Sequence, residues 1–264
     1  ILRDLQGKAK TAIVVSSGFA EVGEGGLQTE VKRIGRELGI RLLGPNCMGI
    51  FNPADRLDTF FISHERMKRP KRGNVAILSQ SGAIMASLFE AIRASRNGLS
   101  KAVGYGNALD IDESDLYEYM FNDRETDVVV SYIESLGDGR RFIDKAKELS
   151  GKKSLIILKS GKGESGSAAA YSHTGRLAGR YEVFRSILRQ FGIMEAVDFD
   201  EMMDATKALS YQRPSMGSRI CIITNGGGSG VLAADECMRQ GLNVARLAEE
   251  KLTRLKNVFP HFYV

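Results

Sequence analysis

Three features of this sequence carry residue types suited to chemistry. His173 sits within residues 159–179, a run made almost entirely of small and polar residues. Such a run cannot build a core, so it is expected as a surface loop, and a loop histidine can act as a carrier. The other two features are turns: Ser79-Gln80-Ser81-Gly82, and Asn225-Gly226-Gly227-Gly228-Ser229-Gly230. Each follows an apolar strand and opens a helix. Free N–H groups and the positive end of the helix dipole then favour an anion such as phosphate. Ser79, Ser81 and Ser229 add hydroxyls, while Gly82, Gly228 and Gly230 allow close approach to the backbone. The plainer reading of one such turn is a capped helix start, and of His173 a surface residue. Two such turns with a loop histidine between them favour phosphate chemistry.

Glu134 ends the strand Val-Val-Val-Ser-Tyr-Ile, at the sheet edge where ligands bind. A carboxylate there could accept from one nitrogen of His173 and leave the other as nucleophile. Its plainer reading is a surface residue before a turn. Gly161-x-Gly163-x-x-Gly166 matches a dinucleotide fingerprint, which would suggest an NAD-dependent oxidoreductase, but no long apolar helix follows it. It is read as a loop. No Walker-type phosphate loop and no Gly-x-Ser-x-Gly elbow occur. The other two histidines, His64 and His261, are assigned no role.

The elements that must position these residues alternate. Strands are expected at 11–16, 41–43, 74–78, 101–103, 127–133, 154–158, 193–195, 219–224 and 243–245. Helices are expected at 27–38, 83–96, 114–121, 140–149, 180–191, 199–210, 231–239 and 248–258. Strands that read as continuous apolar runs are covered on both faces, so the fold class is α/β with a parallel, doubly wound sheet. The pattern dissolves between Asn52 and Asn74 and breaks again near residues 214–218. A strand, a Gly/Ser turn, a helix, a glycine and a strand recur from Val75 and from Ile220, a faint internal repeat. The expected division is 1–55, 56–72 as linker, 73–213, and 214–264. The first and last pieces look incomplete, as if the chain were cut through two domains around one intact middle domain.

At 264 residues there is room for two domains, or three if one is partial. The net charge of +5 comes from 37 basic and 32 acidic residues without a block of five like charges. That suits a polyanionic small molecule; no nucleic acid partner is expected. The cluster Lys68-Arg69-Pro70-Lys71-Arg72 reads as a solvated linker. No apolar run of about 18 residues and no signal pattern occur, so no membrane span is expected and a cytoplasmic location is. Cys47, Cys221 and Cys237 form no CxxC pair, so neither a metal site nor a disulfide framework is implied. Cys221 and Cys237 read as packing residues in a strand and a helix. Cys47, in the turn after Gly44-Pro45-Asn46, is the one cysteine with a functional chance.

The sequence resembles the ADP-forming acyl-CoA synthetases, relatives of succinyl-CoA synthetase. The pieces that carry the resemblance are Gly44-Pro45-Asn46-Cys47-Met48-Gly49, Ser79-Gln80-Ser81-Gly82-Ala83, Gly106-Asn107-Ala108-Leu109-Asp110-Ile111-Asp112, Ile133-Glu134, Asp138-Gly139-Arg140, Ser172-His173-Thr174-Gly175 and Asn225-Gly226-Gly227-Gly228, in family order over nearly the whole chain. The resemblance implies the end of a Rossmann-like CoA-binding domain followed by flavodoxin-like ligase domains. It implies a ligase reaction, acyl-CoA + ADP + phosphate ⇌ organic acid + CoA + ATP, through an acyl phosphate and a phosphohistidine on His173 supported by Glu134. Ser79, Ser81, Gly82, Gly228, Ser229 and Gly230 would hold the phosphoryl group, and Ser16, Ser17, Gly18 and Asn46 would lie near CoA. ATP or ADP with Mg²⁺ would bind an ATP-grasp subunit or fused domain, and an oligomer is expected. The family's glycine-rich CoA loop is absent, so weak CoA binding is expected of this chain. A non-catalytic acyl-CoA or phosphate sensor on the same fold is the alternative.

Overall fold

The computed structural model describes residues 1–163, 181–212 and 217–258. His173 and Gly166, with the rest of 164–180, lie outside the described residues, as do 213–216 and 259–264 with His261. The chain separates into two units, Ile1–Arg213 and Pro214–Val264.

In the first unit the order is β1 (Thr11–Ile13), α1 (Gly25–Leu38), β2 (Arg41–Leu43), β3 (Gly49–Asn52), β4 (Leu57–Asp58), β5 (Arg72–Ser79), α2 (Gly82–Ala94), β6 (Leu99–Gly104), α3 (Glu113–Asn122), β7 (Val128–Ile133), α4 (Gly139–Ser150), β8 (Ser154–Lys159), α5 (Tyr181–Gln190), β9 (Met194–Ala196) and α6 (Phe199–Tyr211). β1 and β2 form a parallel pair. The main sheet has seven strands in the order β4-β3-β6-β5-β7-β8-β9. Its five strands from β6 to β9 run parallel, and β3 and β4 add an antiparallel edge.

The apolar runs of the parallel strands divide by residue parity. Val75 and Ile77 pack with Leu88, Phe89 and Ile92 of α2 and Met202 of α6. Ala76 and Leu78 pack on the other face with Tyr117 of α3, Phe142 of α4 and Phe184 of α5. Both faces are buried, which is why these strands lack polar alternation. The α/β class and the parallel, flavodoxin-like sheet expected above are thus what the chain forms.

Helix starts are fixed locally. Asp112 accepts from the N–H groups of Ser114 and Asp115, and Asp115 accepts in return from the Asp112 N–H, a reciprocal cap for α3. Asp138 caps α4 through the N–H groups of Arg140 and Arg141.

β3 and β4 fall where the sequence pattern dissolves. Strands of four and two residues are too short to show a period. Residues 56–72, expected as a linker, bury Phe60 and Met67, and Phe60 lies 5.3 Å from Phe89 of α2, ring centre to ring centre. Arg69 is held there by Asp58 and the Ile62 carbonyl.

The second unit contains β10 (Arg219–Ile220), α7 (Gly227–Arg239), β11 (Asn243–Val244) and α8 (Glu249–Lys256), with β10 and β11 parallel. β10 stops four residues short of the expected 219–224. Cys221, expected inside that strand, is exposed, whereas Cys237 is buried in α7 as expected.

Candidate functional site

β5 and β7 are neighbours, but their connections leave in opposite directions. β5 continues through α2 to β6, and β7 continues through α4 to β8, on the other side. The crevice outside the carboxyl ends of two such strands is the ligand-binding position of open α/β sheets. Ser79 pairs with Tyr132, and Ile133 with Lys159. The Ser79 turn, Glu134 and Lys159 therefore stand along one edge.

The turn after β5 is held from within. The Ser79 hydroxyl donates to the Ser81 carbonyl at 2.8 Å and accepts from the Ser81 N–H at 3.1 Å. Ser79 is fully buried, so its hydroxyl shapes the turn. The Ser81 hydroxyl accepts from the Ile84 N–H at 3.4 Å and caps α2. Gly82 and Ala83 follow in the first helical turn, where N–H groups lack intrahelical acceptors.

Gln80, between the two serines, joins this turn to β7. Its Oε1 accepts from the N–H groups of Glu134 and Ser135, and its Nε2 donates to the Ser135 carbonyl at 2.9 Å. The Tyr132 phenol's pKa is raised, chiefly by burial, with Ser160 opposing the shift and the Glu134 carboxylate adding to it. Lys159 donates to the carbonyls of Glu134, at 2.7 Å, and Ser160. Burial pushes its ammonium down to about 8, opposed by Glu134 and reinforced by Lys162.

The second unit repeats the device. Thr224 accepts from the Gly226 N–H at 3.0 Å and donates to the Gly226 carbonyl at 3.3 Å, as Ser79 does with Ser81. Gly226 then occupies the cap position of α7, matching Ser81, and the Gly230 N–H closes on the Gly226 carbonyl. Gly228 and Ser229 are exposed in the first turn, and Gly230 is half-buried.

Near the amino end of the first unit, Ser16 and Ser17 are exposed and Gly18 half-buried. The Ser16 carbonyl accepts from the Asn46 N–H at 2.9 Å. The Gly18 and Phe19 N–H groups donate to the Glu21 carboxylate at 2.6 and 3.2 Å. Asn107 ties this group to the main sheet: its Nδ2 donates to Glu21 and Gln28, and its Oδ1 accepts from Asn46. Burial would raise the Glu21 carboxyl, but these donors, Asn107 first, hold it below the usual range.

Cys47 corrects a sequence expectation. It is buried, its Sγ donates to the Val14 carbonyl at 3.4 Å, and burial pushes the thiol up to about 11. A thiol so held is a packing group. His64 is exposed and pairs with Asp58 at 2.9 Å, away from the crevice.

Gln80, Tyr132, Lys159, Asn107 and Thr224 went unassigned in the sequence. Gln80 had a signal in its place between two assigned serines. Lys159 had another, as the one charged residue in the strand Ser-Leu-Ile-Ile-Leu-Lys.

The model of the succinyl-CoA ligase-like flavodoxin domain matches residues 72–209. The α subunit of acetate–CoA ligase (ADP-forming) II from Pyrococcus furiosus is 41% identical over 253 residues, 95% of this chain and 54% of that protein. Acetate–CoA ligase (ADP-forming) from Methanocaldococcus jannaschii is 41% identical over 251 residues, 95% of this chain and 35% of that one. Among solved structures, acetyl-coenzyme A synthetase 1 of Candidatus Korarchaeum cryptofilum, in complex with phosphate and ADP, superposes with a TM-score of 0.92 at 36% identity, covering 99% of this chain and 56% of that chain. The chain therefore spans about half or about a third of the curated relatives named here. Among the described residues no helix is long and apolar enough to cross a membrane.

Proposed function

The chain belongs to the succinyl-CoA ligase-like flavodoxin family, and on that premise we propose that it is the acyl-phosphate-handling part of an ADP-forming acyl-CoA synthetase. Residues 1–55 would be the end of the CoA-binding domain, 73–213 the central ligase domain, and 214–264 the beginning of a second. The partner would be an ATP-grasp subunit or fused domain that holds Mg²⁺ and ADP. A cytoplasmic, oligomeric enzyme belongs to the same reading.

The observation that carries it is the clasp of Gln80 on the backbone of Glu134 and Ser135, which joins the Gly/Ser helix start after β5 to the end of β7 at the switch point of the sheet. Inorganic phosphate would attack the thioester carbonyl, the CoA thiolate would leave, and an acyl phosphate would form. The imidazole of His173 would then attack phosphorus, releasing the organic acid as carboxylate. A terminal oxygen of ADP would take the phosphoryl group from His173 and give ATP. Glu134 would accept the N–H of the other ring nitrogen and stabilise the imidazolium character that develops. Gly82 and its neighbours would hold the phosphoryl group at one stage, and the 228–230 turn at another. The N–H groups of the 16–18 segment and Asn46 would lie along CoA. The similarity to the two acetate–CoA ligases supports this reading.

The test is phosphorylation of the full-length protein and its ATP-grasp part by labelled ATP with Mg²⁺. An acid-labile, alkali-stable label that maps to His173 and is lost in His173→Ala supports the proposal. Acyl-CoA binding without such a label would identify a sensor module instead.

A further inference from the structure

Glu195 stands in β9 opposite Ile157 of β8. The residues that flank 163–180 on either side both reach it. Lys162, shortly beyond the end of β8, brings its ammonium to 3.7 Å from Oε1. Tyr181, which opens α5, donates its phenol to that same oxygen at 2.7 Å. Arg185, one turn further along α5, faces Oε2 at 3.9 Å. The Lys162 ammonium also lies over the Tyr181 ring, 5.7 Å from its centre, and donates to the carbonyls of Ala196 and Val197 at the end of β9. Exposed ion pairs contribute little by themselves. The Glu195 side chain is 12% exposed, however, and burial together with its charge pushes the Tyr181 phenol up to about 12. That phenol is a donor throughout the neutral range.

Phe184 and Leu188 already pack α5 against the sheet. What the carboxylate adds is a common point from which the chain departs and to which it returns. Fixing both ends of a segment narrows the space that its middle samples. The effective concentration of a group carried there rises without any new contact at the reacting atoms. At about 3.5 Å per residue, the eight positions from His173 to Tyr181 limit the imidazole to about 28 Å from that anchor. We infer that Glu195 is a positioning residue for His173: by pinning Lys162 and Tyr181 together it sets how often the imidazole meets each phosphoryl partner. The inference rests on the synthetase reading and adds a residue to it.

The test uses the full-length protein with its ATP-grasp part. Glu195→Ala should slow labelling of His173 about tenfold, from ATP and from acyl-CoA with labelled phosphate alike. KM for ATP, acyl-CoA and phosphate should stay unchanged, which a defect in binding would not allow. Glu195→Gln keeps an acceptor for Tyr181 and loses the charge, so it should recover part of the rate. Tyr181→Phe should slow labelling less than Glu195→Ala and add nothing when combined with it. Trypsin gives a readout apart from turnover: cleavage after Lys162 should be at least about fivefold faster in Glu195→Ala than in wild type. Labelling of Glu195→Ala within twofold of wild type, slowing in one direction alone, a raised KM, or unchanged cleavage overturns the inference. Should Glu195→Ala fail to fold, Glu195→Gln and Tyr181→Phe decide, and wild-type labelling rates in both overturn it. The two readings fail separately. No label on His173 in the wild type removes the synthetase proposal and this role with it, whereas a normal label indifferent to Glu195 removes the positioning role alone.

Discussion

Gln80 and Ser135 form a closed amide-to-peptide pair. The Gln80 Oε1 accepts from the Ser135 N–H at 3.0 Å, and its Nε2 donates to the Ser135 carbonyl at 2.9 Å. A side chain thus imitates one more rung of the β5–β7 ladder beyond the strand ends. The oxygen also serves the Glu134 N–H, so one residue fixes the turn after β5 and the backbone of Glu134 relative to each other.

Removing that clasp should affect both fold and site. In Gln80→Leu three buried hydrogen bonds are lost and backbone groups of Glu134 and Ser135 lose their partners. Each unsatisfied buried group costs about 1–3 kcal/mol, so a loss of about 3–5 kcal/mol is expected. Urea unfolding should show it as a lower midpoint with unchanged slope. Gln80→Glu, which keeps the acceptor and loses the donor, should fall between. A loss below about 1 kcal/mol would mean that the clasp is incidental.

Lys159 gives the pH prediction. Its ammonium is held near 8 in the fold against a usual value of 10.5, chiefly by burial. Between those values the unfolded chain binds more protons, so stability rises with pH across roughly 8 to 10.5 through this group. A gap of two to three pKa units corresponds to about 3 kcal/mol. The stability of wild type relative to Lys159→Met should therefore rise by about that amount across the window, measured by chemical unfolding at matched ionic strength. A parallel pH dependence of the two proteins would contradict the buried, partly deprotonating lysine.

Glycine positions separate close approach from mere flexibility. Gly106 has φ +53°, and a Cβ there would lie 2.3 Å from both the Pro45 and Asn46 carbonyls. Neither backbone oxygen can move without disturbing the Asn46 turn. Gly106→Ala should cost about 2–4 kcal/mol and weaken CoA binding in the full-length protein. Gly139, at the start of α4, meets nothing within 4 Å. Gly139→Ala should be neutral or stabilise by about 0.5 kcal/mol. Thermal unfolding of the pair checks the contrast, and equal midpoints would refute it.

The three thiols should differ sharply. Cys221 is exposed, whereas Cys47 and Cys237 are buried. A thiol-reactive chromophore should modify one cysteine rapidly in the native protein and the others only in denaturant. Peptide mapping should place the fast label on Cys221. Rapid labelling of Cys47 would revive the functional role that its burial removes.

The sequence was most legible where the physics is local or repetitive. The buried strands 128–133 and 154–159 announced themselves as apolar runs, and the two strand-to-helix turns by glycine and serine before a helix. β3 and β4 stayed hidden because strands so short have no period, and their pairing depends on β6, about fifty residues later. Cys47 misled because a glycine-proline turn reads as surface, whereas this one is packed under Val14. Gln80 and Lys159 were invisible as partners, since both reach the backbone just past the end of β7, remote from them in sequence. The Ser79–Thr224 correspondence shows the opposite case. A faint repeat in sequence proved to be the same hydroxyl-closed turn, with threonine replacing serine.

Glu134 supplies the sharpest test of the proposed chemistry. Gln80 and Lys159 grip the backbone of Glu134, not its side chain. Glu134→Gln therefore preserves the clasp, the turn and the fold, and removes only the negative charge. If that charge supports the imidazolium character of His173 during phosphoryl transfer, the rate of acid-labile phosphorylation should fall about 10²–10⁴-fold, the usual span for such support. The unfolding midpoint should move little, since both backbone bonds to Glu134 are kept. Rapid-quench measurement of the labelled intermediate separates this from slow ADP transfer, and Gln80→Leu provides the contrast of a variant that loses stability and rate together. A Glu134→Gln protein that phosphorylates within threefold of wild type would remove the carboxylate from the mechanism and leave the crevice a binding site alone.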